Sequence, residues 1–109
     1  SMLNKPEEEY YVIIYNSENL RAVYYSGLVT KYLQNEDHLR VYFADLNNEL
    51  NTRFYDPENA NLDVNNISDL KVGDITLIRV RNGSIAEALT SEEDIASELE
   101  YIESEDTEN

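Results

Sequence analysis

Six consecutive β-branched and aromatic residues, Tyr10-Tyr11-Val12-Ile13-Ile14-Tyr15, give way at once to the turn-formers Asn16-Ser17-Glu18-Asn19. Such a run reads as a buried strand, and a buried strand needs other elements to cover it. The period then changes. Leu20, Tyr24, Leu28 and Tyr32 recur every four residues with Tyr25, Val29 and Leu33 beside them, which predicts a helix from about Ser17 to Gln34. Asn16 or Ser17 is its expected N-cap, and Gly27 in its middle predicts a kink or a close packing contact. A strand that feeds straight into a helix sets the helix N-terminus at the strand end, where α/β sheets usually bind their ligands. The junction is therefore the first place to look for function, and it offers Ser17, Glu18, Asn19, Leu20, Arg21 and Ala22.

The remaining elements follow in order. A polar loop, residues 35–38, leads to a second strand from Leu39 to Leu46, parallel to the first because a helix separates them. A short helix ending at Pro57 is expected to put Leu50 and Phe54 on one face. Residues 56–66 are rich in Asn and Asp and read as a surface loop, with a brief helical turn expected at Ile67 to Leu70. Two alternating runs, Thr76–Arg81 and Ser84–Leu89, flank Asn82-Gly83, the strongest short-range hairpin signal. Thr90-Ser91-Glu92-Glu93-Asp94 opens a final helix by overlapping capping boxes, with Ile95, Leu99 and Ile102 as its buried stripe. Beyond Glu103 the pattern stops and a frayed tail is expected.

The order β-α-β-α-β-β-α predicts an α/β sandwich with a mixed four-stranded sheet and helices on both faces. A length of 109 residues allows one domain, expected over 10–104, after an extended lead-in at 1–9 and before an acidic tail at 105–109. Ser1-Met2 reads as a remnant of a cleaved tag.

Charge and composition narrow the function. The net charge of −15, from 23 acidic against 8 basic residues, opposes binding to nucleic acid or anionic lipid through the surface field. Absence of cysteine excludes thiolate catalysis, disulfides and thiolate metal sites. No 18-residue apolar segment or signal-peptide pattern occurs. Ser17 and Ser26 need a base to act as nucleophiles, and the single histidine, His38, lies past the far end of the helix, roughly 25 Å from Ser17 at 1.5 Å per residue. The loop 56–63 lacks the glycine and the distal glutamate of a calcium-binding EF-hand and reads as a solvated loop; no metal or other cofactor is expected. Nine tyrosines are many for so small a core, and the neighbouring pairs Tyr10-Tyr11 and Tyr24-Tyr25 must point partly in different directions. A surface that includes Tyr24 or Tyr25 is thereby a candidate protein-binding face.

Three stretches carry a family resemblance: Val12-Ile13-Ile14-Tyr15-Asn16-Ser17, Val41-Tyr42-Phe43-Ala44-Asp45-Leu46-Asn47, and Thr76-Leu77-Ile78-Arg79-Val80-Arg81-Asn82-Gly83. With the final helix, the chain resembles the thioredoxin fold stripped of its first strand and helix. It is most similar to small thioredoxin-like proteins of Gram-positive bacteria, which often begin with a membrane anchor or signal. Where that family carries Cys-x-x-Cys, this chain has Asn19-Leu20-Arg21-Ala22, and the family's cis-proline falls at Ile75 in Gly73-Asp74-Ile75-Thr76. A non-proline residue there is expected to be trans.

The resemblance therefore implies a redox-inactive, non-catalytic scaffold that binds a protein partner. The inherited groove between residues 17–22 and 73–76 supplies the candidate contacts Ser17, Asn19, Ala22, Tyr24, Asp74 and Ile75. A second expectation is an accessory subunit of a membrane-associated, exporter-like assembly, held by an N-terminal anchor outside this sequence; extracytoplasmic placement is favoured slightly over cytoplasmic.

Overall fold

The structure, a computed structural model, describes residues 5–64 and 69–108, with side chains described up to residue 100. Its elements are β1 (Glu9–Tyr15), α1 (Arg21–Tyr32), β2 (Arg40–Asp45), a 3₁₀ turn (Thr52–Phe54), β3 (Thr76–Arg81), β4 (Ser84–Leu89) and α2 (Glu92–Glu108). The four strands form one mixed sheet in the order β2-β1-β3-β4. β1 runs parallel to β2, with Val12 opposite Tyr42, and antiparallel to β3, with Val12 opposite Ile78. The β3–β4 hairpin turns at Asn82 (φ 52°) and Gly83 (φ 79°), both left-handed, as a two-residue turn matched to strand twist requires.

The strand period of two divides β1 between two cores. Tyr11 and Ile13 pack with Tyr25, Val29 and Tyr32 of α1, Ile95 and Leu99 of α2, and Val41, Ile75 and Leu77. Tyr10, Val12 and Ile14 face the other way, onto Ala44, Leu46, Phe54, Leu70, Val72, Ile78 and Val80. Both helices thus lie on one face of the sheet, and the expectation of helices on both faces is corrected. What covers the second face is the 46–75 segment, whose described part contains no α-helix and includes the 3₁₀ turn Thr52–Phe54.

The local chemistry of that segment explains the difference. Asn48 Oδ1 accepts the Leu50 amide, Asp56 Oδ1 accepts the Asn59 amide, and Asn61 Oδ1 accepts the Asp63 amide. Side chains that bond neighbouring backbone in this way compete with helix formation. The segment is instead anchored by main-chain bonds from Val72 N to the Phe54 carbonyl and from Asp56 N to the Val72 carbonyl. Gly73 permits this approach, since a Cβ there would lie 3.1 Å from the Pro57 backbone. Leu50 and Phe54 do not share a buried face: Phe54 is in the core and Leu50 is 81% exposed.

α1 also departs from expectation at both its start and its seam. Asn16 Oδ1 accepts the Glu18 amide and Asn19 Oδ1 accepts the Arg21 amide, so two successive turns delay the helix to Arg21. The buried seam is Tyr25, Val29 and Tyr32, at i, i+4 and i+7, and Leu20 and Tyr24 are exposed. Gly27 makes no close contact, because a Cβ there would meet nothing within 4 Å.

At α2 the Ser91 hydroxyl accepts the Asp94 amide, the expected cap. The helix continues to Glu108, through the stretch expected to fray. The helical turn expected at 67–70 falls mostly outside the described residues, as do residues 1–4 and the Ile102 side chain. No helix among the described residues is long and apolar enough to cross a membrane.

At the opposite end of the helix-bearing face from the β1–α1 junction, Arg79 binds Glu9 (2.8 Å) and Glu87 (3.1 Å), with Glu98 of α2 at 3.9 Å. The Tyr11 hydroxyl donates to Glu98. This half-buried network joins β1, β3, β4 and α2. Hydrogen bonds from Arg79 and Arg81 hold the Glu9 carboxyl below its usual pKa, and burial followed by the Glu98 contact pushes the Tyr11 hydroxyl up.

Candidate functional site

The β1–α1 junction sits at the ends of the two parallel strands, and a single carboxylate ties those ends together. Asp45 Oδ1 accepts the Ser17 amide and the Asn47 amide, each at 3.0 Å, while the Leu46 amide donates to the Tyr15 carbonyl. Desolvation works against the Asp45 charge, yet the Asn47 and Ser17 donors outweigh it and hold its pKa below the ordinary value. A carboxylate so stabilised is a weak base, which leaves the Ser17 hydroxyl without strong activation. His38 is remote from it in the contacts it makes, its Nδ1 lying 3.0 Å from the Leu39 carbonyl and its ring 6.0 Å from that of Tyr32.

The other wall of the expected groove is the loop before β3. Asp74 Oδ1 accepts the Ile75 amide and the Asp74 carbonyl accepts the Thr76 hydroxyl, a tight local turn. Arg21 bridges the two walls. Its guanidinium donates to Asp74 at 3.2 Å and to the Tyr25 hydroxyl at 2.9 Å, and reaches Glu92 at 3.9 Å.

The six expected residues thus have different fates. Ser17, Tyr24 and Asp74 are exposed, and Asn19 and Ala22 are half-buried. Ile75 is corrected as a groove-lining side chain: it is 2% exposed, because it points into the helix-side core with Tyr25 and Ile95. Arg21, which was outside the expected set, is the residue that joins the two walls. All described peptide bonds are trans, that of Ile75 included.

Comparison of the chain with protein-family models, curated proteins and solved structures gives no match. Its own residues carry the functional reading.

The start of α1 presents apolar surface. Leu20 is 90% exposed and Val23 77%, with Tyr24 beside them, its ring edge-on to Tyr25 at 5.5 Å. Between α1 and the β1–β2 strands, a concavity of about 80 Å³ is lined by Ile13, Tyr15, Ala22, Tyr25, Ser26 and Phe43. Phe43 is 53% exposed and meets Tyr15 edge to face at 6.1 Å. Large apolar side chains gathered at one place on a surface mark an interaction site more often than isolated ones do.

Sequence reasoning missed Leu20, Val23 and Phe43 as surface residues. It placed Leu20 in the buried stripe, and it put Phe43 correctly in the second strand without showing that its side chain is exposed. The available signal was the competing spacing Tyr25, Val29, Tyr32, which turns Leu20 and Val23 outward. Among the described residues, no group of three or more His, Asp or Glu is placed to hold a metal ion.

Proposed function

We propose that this chain is a non-catalytic protein-binding domain of thioredoxin-like arrangement, whose contact surface is the start of α1. The arrangement is supported by a βαβ half with parallel β1 and β2, joined to a ββα half whose first strand lies antiparallel beside β1. Loss of catalysis is supported by the absence of cysteine, since thiol–disulfide exchange needs a thiolate to attack and another to leave.

The single observation that carries the binding role is the exposure of Leu20 and Val23 at the helix start where the resemblance would place the reactive pair. An apolar residue from a partner fits there, over the concavity beside Ala22 and Phe43. Glu18 precedes this surface in the chain, and Asp74 and Glu92 lie on its Arg21 side, at 3.2 and 3.9 Å from that guanidinium. The partner is therefore a protein segment with an apolar anchor and basic flanks.

Site-specific photo-crosslinking tests this. A benzophenone side chain at Val23 should trap one partner, and the purified partner should give the same adduct in reconstitution. A probe at Ala86, on β4, should not. Equal trapping at both positions, or an adduct that purified components do not reproduce, overturns the assignment.

A further inference from the structure

Basic residues are scarce here, and six of the eight fall into two groups. Arg21, Arg79 and Arg81 each meet carboxylates. Lys5, Arg40 and Arg53 make no salt bridge among the described residues, and all three gather on the sheet face opposite α1 and α2. Lys5 Nζ lies 4.7 Å and the Arg40 guanidinium 5.1 Å from the centre of the Tyr42 ring, and the Arg53 guanidinium lies 4.7 Å from that of Phe54. Behind Arg53, Lys71 Nζ donates to the Arg53 carbonyl at 2.8 Å.

Between these cations lies an open concavity of about 620 Å³, with Tyr42, Ala44 and Phe54 in its lining and the exposed Leu50 at its rim. Its carboxylates are Glu49, in the lining, and Glu7, which accepts the Tyr42 hydroxyl at 2.6 Å. In a chain of net charge −15, this is a locally cationic and partly apolar surface.

The concavity borders β2, which pairs with β1 on one side and has no strand partner on the other among the described residues. An unpaired strand edge is a template for an added strand. We propose that this concavity binds an extended acidic segment of a partner protein, laid beside β2 as a further strand. Its alternate carboxylates meet Lys5 and Arg40 at the Tyr42 end and Arg53 at the Phe54 end, and its intervening apolar side chains point to the opposite face, on the side of Phe43. A phosphate-bearing small ligand fits less well. The glycines, at 27, 73 and 83, all lie outside the lining, and neither α1 nor α2 starts in it to supply an amide cradle. This surface shares Phe43 with the concavity beside Ala22, but its cations lie on the other face of the sheet from Leu20 and Val23, and either can fail without the other.

The test is an amide NMR titration of the full chain at low salt with the peptide acetyl-Glu-Val-Glu-Leu-Glu-amide, its lysine counterpart, and tripolyphosphate. The acidic peptide should shift the amides of Arg40–Asp45 and Glu49–Phe54 and slow hydrogen exchange along β2. Raising salt from about 20 to about 200 mM should weaken it severalfold. Arg53→Glu, or Lys5→Glu should the first variant fold poorly, should weaken it about tenfold. The proposal is overturned by shifts outside this region, by equal binding of the lysine peptide, or by tripolyphosphate saturating the same amides at lower concentration.

Discussion

Arg21 Nη1 lies 3.2 Å from Asp74 Oδ2, so the first residue of α1 is tied to the loop that precedes β3, 53 positions along the chain. The Tyr25 hydroxyl, one turn further along α1, takes the other guanidinium nitrogen. Tyr25 and Asp74 both stabilise the charge and raise the Arg21 pKa. The pair therefore joins the start of α1 to the loop before β3.

Because the Arg21–Asp74 pair is half-exposed, its removal should cost little global stability. Its effect should be local. In Arg21→Ala, hydrogen exchange at the amides of residues 73–76 should accelerate severalfold while those of β1 keep their protection. Uniform acceleration across the sheet would show that Arg21 supports the whole fold instead.

The α1 seam makes a sharp contrast between two tyrosines. Tyr32 is buried, accepts the Leu39 amide at 2.6 Å and stacks edge-on against Tyr11 at 5.7 Å. Tyr32→Ala should cost about 3–5 kcal/mol in urea unfolding. Tyr24→Ala, on the exposed side, should stay within about 0.5 kcal/mol.

These two tyrosines also show what was legible in the sequence. β1, β2 and the Asn82-Gly83 hairpin follow from strand periodicity and from a turn that demands left-handed residues, signals that no tertiary contact overrides. The apolar surface of α1 was legible too, but it is wider than the seam that the sheet can bury. Which part of it faces inward depends on the helix start, and Asn16 and Asn19 shift that start through bonds to their own neighbourhood. In the 46–75 segment, Leu46, Phe54, Leu70 and Val72 are buried without any regular spacing, so periodicity had nothing to read. Leu20 and Val23 became visible as a surface only once the orientation of α1 was known.

Gly27 lies on the exposed side of α1 in a helical backbone, with open space where a Cβ would sit. Gly27→Ala should therefore stabilise the protein by about 0.5–1 kcal/mol, by removing unfolded-state freedom. A loss of stability would mean that the position serves a close contact after all.

Glu9 provides the pH dependence. Arg79 and Arg81 hold its folded pKa below the ordinary 4.5, so its contribution is present above that value and is lost as pH falls through the folded pKa. Easing of repulsion in this acidic chain acts over the same range in the opposite sense, so the comparison with a variant is the proper readout. The urea midpoint of Glu9→Gln should lie below that of the parent at about pH 7, with the gap narrowing as pH falls below the ordinary value of 4.5. A gap that stays constant over this range would contradict the assignment.

The central claim is that the start of α1 is a protein-contact surface, and the dissociation constant of the purified, crosslink-identified partner tests it most directly. Val23→Glu should raise that constant about tenfold or more while leaving the urea midpoint unchanged. An unaltered dissociation constant for Val23→Glu and for Leu20→Ser would contradict the account.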